Sequence, residues 1–256
     1  MIENPEPSNW RDLQAGVCRI FNDIGLQAEQ DKDVKTPRGK VSLDVFAIDP
    51  GSVDSIQYVV ECKNWKSSVP QSVVHSFTTV MHEVGANIGY IVSKQGFQKG
   101  ADEYLRNTNI KGITYVEFQN HYIGVWIDRH FCPTVGNAAD SFIQYTEPIN
   151  SRRERFVSNL SSSLQKDFVD LYNRYNLFGM ALAMISVRRI MPQMIPRPDI
   201  STQKLNQIIS DTIGEEHIID TLYLGEYLEK LVLLIQELTE TFTKIFGEDI
   251  FAQQRH

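Results

Sequence analysis

The chain has 256 residues, 42% of them hydrophobic and 22% charged, with a formal net charge of −7. That apolar share excludes a wholly disordered chain, and the length suits one large domain or two small ones. Cys18, Cys62 and Cys132 form no CxxC pair, which argues against a structural zinc site and a disulfide scaffold and suits a reducing cytoplasm. The start, MIENPEPSNW, has neither the basic nor the apolar region of a signal peptide. The most apolar helical run, Phe178 to Ile195, is interrupted by Arg188, Arg189 and Pro192, so no membrane span is expected. An acidic total argues at first sight against a polyanion partner. The charge is uneven, however: residues 151–200 carry a net +4 and residues 201–256 a net −6.

The first predicted element is a helix over residues 8–25. Ser8 is placed to cap it, Trp10, Leu13, Val17, Ile20, Phe21 and Ile24 recur at helical spacing, and Gly25 marks the stop. The charged stretch Gln27 to Lys40, with Pro37 and Gly39, reads as a loop or hairpin tip. Val41, Leu43 and Val45 alternate with their neighbours as a strand that Pro50-Gly51 ends, and Ile56 to Lys63 is a second β-rich run. After Pro70 a helix runs through Val73, Val74, Phe77, Val80, Met81 and Val84 to Gly85. A strand from Ile88 to Val92, a helix from Gly96 to Asn107 and a strand from Ile113 to Phe118 follow, and residues 121–127 read as a further edge strand. The order α, β, β, β, α, β, α, β implies an α/β domain, a mixed sheet with helices on both faces.

Residues 1–127 are therefore expected to form one domain and residues 128–150, with Pro133, Gly136 and Pro148, a linker. Residues 151–256 are expected to form an all-α C-terminal region for assembly or regulation: a helix over about 151–190, a break at Pro192, Pro196 and Pro198, then helices over 201–213 and 215–246. In the last of these Leu224, Leu228, Leu231, Ile235, Leu238, Phe242 and Ile245 form a heptad stripe. The apolar flanks Val232, Leu234 and Phe246 favour a helix buried in a small bundle over a two-stranded coiled coil. Either way the stripe wants a partner.

Chemistry concentrates at Asp44, Glu61 and Lys63. Side chains alternate along a strand, so Glu61 and Lys63 share a face and Cys62 points the other way. A hairpin would bring Asp44, 17 residues earlier, beside Glu61. Two carboxylates and an ammonium on one surface make a poor core and an ordinary site for Mg²⁺, which binds through one or two carboxylates plus waters and phosphate. The competing reading is a solvated Glu-Lys pair. A Cys62–His protease reading fails on direction, and His75 and His82, seven apart on one helix face, read as structural or solvated.

Asp44 followed by Glu61-Cys62-Lys63 resembles the D…ExK signature of the PD-(D/E)xK nuclease superfamily. The surroundings resemble its Mrr-like branch, the type IV restriction endonuclease catalytic domains. The likeness runs over roughly residues 9–118: the helix with Trp10, the strand Gly39 to Val45, the run Val59 to Trp65, then Val69 to Phe77, Gly85 to Ser93 and Gly96 to Ala101. It implies a restriction-endonuclease-like fold and Mg²⁺-dependent hydrolysis of a DNA backbone, with Mn²⁺ as a substitute. It implies Asp44 and Glu61 as metal ligands, the Cys62 backbone carbonyl as a third, and Lys63 as the catalytic lysine. One departure matters: where many members carry a glutamate on the first helix this chain carries Gln14, with Asp12 as the fallback register. Gln14 brings no charge, which points to one metal rather than two and to a hydrogen-bonding role.

Weaker candidates for nucleic-acid contact are Lys66 and Trp65, with packing favoured for Trp65, and Gln71, Ser93, Lys94 and Gln98 around helix starts. Arg152, Arg153 and Arg155 open the basic band. The expected partners are DNA, a homodimer through the C-terminal helices and an activating protein, with no membrane, in a cytoplasmic endonuclease serving defence against foreign DNA. The alternatives are a catalytically silent nuclease-fold binding module, and an RNase or structure-specific nuclease on the same site.

Overall fold

A computed structural model of the chain describes residues 1–37, 39–190 and 199–252, with the backbone alone at 189 and 190. It divides into two compact units, Met1–Trp126 and Ile127–His256. The breaks expected at Pro192, Pro196 and Pro198 lie outside the described residues.

The first unit opens with α1 (Trp10–Asp23). Asn9, not Ser8, caps it, its side chain accepting from the backbone N–H groups of Arg11 and Asp12, and Gly25 closes the turn at φ 91°. Next come β1 (Gln27–Thr36), β2 (Gly39–Ile48) and β3 (Gln57–Lys63), then α2 (Gln71–Val84), β4 (Ile88–Ser93), α3 (Lys99–Leu105), β5 (Ile110–Thr114) and α4 (Tyr115–Trp126). The sheet order is β1-β2-β3-β4-β5. β1, β2 and β3 pair antiparallel, and β3, β4 and β5 parallel, as the order of helices and strands requires.

Several elements of this unit depart from expectation. The charged stretch taken as a loop is β1, a ten-residue strand whose side chains are exposed or half-buried. Its partner β2 supplies the apolar positions, so β1 itself carries no apolar alternation to read. The strands expected at 113–118 and 121–127 are β5, which ends at Thr114, and then α4. Tyr115, Phe118, Tyr122 and Trp126 fall on one buried helical stripe, a spacing that outweighs the β-propensity of the residue types.

The helices cover both faces of the sheet. Phe21 of α1 meets Tyr58, Tyr90, Phe118 and Tyr122 within 6.3 Å between ring centroids, so α1 and α4 lie on the face that carries Tyr58, Val60 and Cys62. On the other face Phe77 and Met81 of α2 press so close to Gly89 that a Cβ there would stand 2.8 Å from each. That face carries Val59, Glu61 and Lys63, because Val59 pairs with Gly89 across the β3–β4 ladder.

The second unit is helical. A π-helical turn (Ile127–Phe131) leads to α5 (Cys132–Ala138) and α6 (Asp140–Thr146), then α7 (Ser151–Ser158), α8 (Ser162–Ile190), α9 (Thr202–Ile213) and α10 (Leu224–Phe246). The stretch expected as a linker is therefore largely helix, with Phe131, Cys132, Val135, Phe142 and Tyr145 buried. Pro133 misleads because it sits in the first turn of α5, where a missing N–H costs nothing. The expected helix over 151–190 is two, α7 and α8. α8 packs against α5, α6, α9 and α10, and Phe142, Phe168, Tyr175 and Phe242 meet ring to ring at the centre.

The heptad stripe of α10 lies in this core: Leu224, Leu228, Leu231, Ile235, Leu238 and Phe242 are each at most 4% exposed. The bundle reading holds, and the partner the stripe wants is its own chain. A homodimer through the C-terminal helices would have to use another face of them, since these residues are already covered.

Candidate active site

The β2–β3 ladder runs from Ile48↔Gln57 to Val45↔Val60 and stops there. The next residues in the same register are Asp44 and Glu61. Beyond this point β2 continues with β1 alone, so the sheet forks between β2 and β3. Opposite Asp44, between the pairs Gln30↔Val45 and Lys32↔Leu43, Asp31 takes φ 50°, a left-handed conformation that aspartate tolerates better than most side chains. Leu43 shares a core cluster with Phe46 and Val59 although strict alternation would set it on the opposite face from Phe46.

At the fork the Asp44 side chain takes over from the ladder: its Oδ2 accepts from the backbone N–H of Cys62 at 2.7 Å. A carboxylate has about four lone-pair positions, so this bond fixes Asp44 and leaves it acceptor capacity. Glu61 and Lys63 are ion-paired side by side on the same face of β3, with side chains 29% and 17% exposed. Burial and the nearby Asp44 charge push the Glu61 carboxyl above the ordinary glutamate range, and Lys63 offsets this only in part. Cys62 is buried on the opposite face, and burial pushes its thiol well up. That environment removes the thiolate a nucleophile needs.

Beside the pair lies a cavity of about 280 Å³ lined by Glu61, Lys63, Trp65 and the α2 residues Ser72, Val73, Ser76, Phe77 and Val80. Trp65 is 42% exposed, and the Lys63 Nζ stands 5.2 Å from its ring centroid. The sequence reading favoured a packing role for this indole. The structure instead sets it beside the Lys63 ammonium, and the two-residue spacing past Lys63 was the signal that could have shown it.

Residues 6–121 match the family model Mrr_cat, described as restriction endonuclease. This is an Mrr-type restriction endonuclease domain. The mixed five-stranded sheet between two helical layers, followed by a helical region, is the fold expected of it. No curated protein matches the chain. A solved structure, the crystal structure of a protein of unknown function called AF1548, is similar at 16% identity over 80% of this chain and 96% of that one. The TM-score between the two is 0.39.

Within the Mrr-type domain the other expected residues scatter. Gln14 is buried in α1, 2% exposed, in the helical layer on the far face of the sheet from Glu61 and Lys63. It makes no hydrogen bond to Asp44, Glu61 or Lys63. Asp12, the fallback, accepts from the Asn9 amide at 2.9 Å as part of the α1 cap. Lys66 is exposed just past Trp65. Gln71 opens α2, but its amide meets His75 at 3.3 Å, and Pro70 holds the cap position.

The helix expected from Gly96 begins at Lys99, because Gly96 turns at φ 73° and residues 96–98 run beside Val69 in a short parallel bridge. Ser93 is therefore not at a helix start. It is buried at the end of β4, and its Oγ accepts from the Gly96 N–H at 3.0 Å. Lys94 and Gln98 are exposed, and α3, at seven residues, is too short to offer much of a phosphate cradle.

The arginine cluster in the helical unit divides. Arg152 and Arg155 are exposed. Arg153, 2% exposed, donates to the carbonyls of Tyr145 and Glu147, pairs with Glu154 and lies over Phe168 and Tyr172. It closes the C-terminal end of α6, where carbonyls lack helical partners, and cannot reach DNA. Cys18, Cys62 and Cys132 are all buried, and none of them is in a disulfide. Among the described residues no helix is long and apolar enough to cross a membrane.

Proposed function

We propose that the chain is a Mg²⁺-dependent endodeoxyribonuclease, a cytoplasmic enzyme of restriction-like defence against foreign DNA. The observation that carries this reading is the gathering of Asp44, Glu61 and Lys63 at one strand fork inside an Mrr-type domain.

The donor set fits the metal. Burial first and the neighbouring Asp44 charge second make Glu61 hold its proton more tightly than usual; a hard divalent cation would offset the burial and relieve the repulsion between the two carboxylates. Asp44 and Glu61 would hold it, with the Cys62 carbonyl as a third protein donor. Among the described residues no three His, Cys, Asp or Glu side chains come together. The remaining positions therefore fall to water and phosphate oxygens, as Mg²⁺ prefers. Bound there, Mg²⁺ supplies an acidified water and screens charge developing on the phosphate. Lys63, on the same face as Glu61, orients the attacking water and neutralises the phosphoryl oxygens. Gln14 brings no negative charge and is bonded to none of the three residues, so one cation is assigned.

The test is a cleavage panel of modified and unmodified duplex DNA, single-stranded and branched DNA, and RNA, with Mg²⁺, Mn²⁺ or EDTA. On this reading duplex DNA should be cut with Mg²⁺ and spared with EDTA. Cutting of RNA or branched DNA alone would move the reading to an RNase or a structure-specific nuclease. Mg²⁺ binding without cleavage of any substrate would favour a silent binding module.

A further inference from the structure

The Lys63 ammonium has two partners with opposite properties, the Glu61 carboxylate and the Trp65 indole. Glu61 is also one of the two carboxylates that would hold the cation, so a lysine resting on it competes with the cation for the same oxygens. The indole attracts an ammonium through the negative face of its ring, has no carboxylate to lose, and the 5.2 Å separation lies within the range where that attraction operates. Burial does not account for Trp65: the residue is 42% exposed and lines the cavity that Glu61 and Lys63 also line.

We propose that Trp65 is a positioning residue that draws the Lys63 ammonium off Glu61, clearing the carboxylate for the cation and keeping the lysine at the cavity mouth for the phosphate. This rests on the nuclease reading, and it predicts an energetic coupling between Trp65 and Lys63 that shows in cation binding before any DNA is present.

The test is isothermal titration of the full chain with Mg²⁺ alone, for wild type, Trp65→Leu, Lys63→Met and the double variant, with Trp65→Phe as the conservative change. Trp65→Leu should weaken Mg²⁺ binding about 3- to 30-fold, the range of one cation–π contact, and Trp65→Phe should recover part of it. In the Lys63→Met background, where no ammonium competes, Trp65→Leu should change the affinity less than twofold. Equal weakening in both backgrounds would make Trp65 a packing residue and overturn the inference while leaving the nuclease reading standing. No Mg²⁺ binding by folded wild type would overturn both. Melting curves for each variant identify any that fails to fold, and Trp65→Phe then carries the comparison alone. In cleavage assays the same variant should lower kcat with KM for DNA held within about twofold.

Discussion

The two units treat a cation drawn in from solvent in opposite ways. In the helical unit Arg153 spends its guanidinium on two carbonyls, a carboxylate and two rings, and Arg188, 4% exposed, lies against Asp128 at 2.6 Å. Both guanidinium groups find their acceptors within the same unit. In the Mrr-type unit Lys63 shares a half-open cavity with Glu61 beside a second carboxylate that it does not neutralise. An arrangement that leaves charge over is a poor stabiliser and an available reagent. Buried polar groups that close on themselves hold the fold, and those that do not close mark the chemistry.

Exchanging each cation for an apolar side chain of similar length should separate the two roles. Lys63→Met should lower DNA cleavage about 10²- to 10⁴-fold while moving denaturant stability by less than about 1 kcal/mol. A loss of activity that tracked unfolding would break the contrast. Leu231→Asp, a charge placed in the core of α10 at a side chain 2% exposed, should cost about 4 kcal/mol or more and unfold the helical unit. Circular dichroism independent of protein concentration would show this, whereas dissociation of a folded oligomer would restore the heptad stripe as an interface. Arg153→Met should destabilise the helical unit by about 2–4 kcal/mol, because it strands two carbonyls, with cleavage per folded molecule unchanged.

The smallest effect carries an unusual sign. The raised Glu61 pKa means that the metal-free fold gains from protonating this group, a gain present below the ordinary glutamate range and lost as pH rises through the folded-state value. Glu61→Gln should therefore melt above wild type at pH 7 without divalent ions, and the difference should close near pH 4. Added Mg²⁺ should reverse the order, since it stabilises only the form that binds it. A wild type more stable than Glu61→Gln in EDTA at pH 7 would show that Glu61 is satisfied by Lys63 alone.

The site was legible because its signals are local: alternation sets Glu61 and Lys63 together and turns Cys62 away, and a two-strand register brings Asp44 opposite Glu61. Much of the rest depended on neighbours. β1 reads as a loop because its apolar cover comes from β2 and its own residues are charged. Arg153 reads as a DNA contact because nothing in an Arg-Arg-Glu-Arg run announces that one guanidinium folds back onto the preceding helix end. The α10 stripe announced that it would be covered, and only the fold shows by what. Trp65 fell between these cases: its distance from Lys63 was legible, and the ring over the ammonium was not.

The central claim is that Asp44, Glu61 and Lys63 form one metal-dependent centre, and nicking of supercoiled plasmid with increasing Mg²⁺ tests it most directly. Wild type should convert the plasmid to open-circular and linear forms with a saturable dependence on Mg²⁺. Asp44→Ala, folded to the same degree by circular dichroism, should leave it supercoiled at every Mg²⁺ concentration. Nicking by Asp44→Ala at the wild-type rate, or wild-type nicking undiminished by EDTA, would contradict the account.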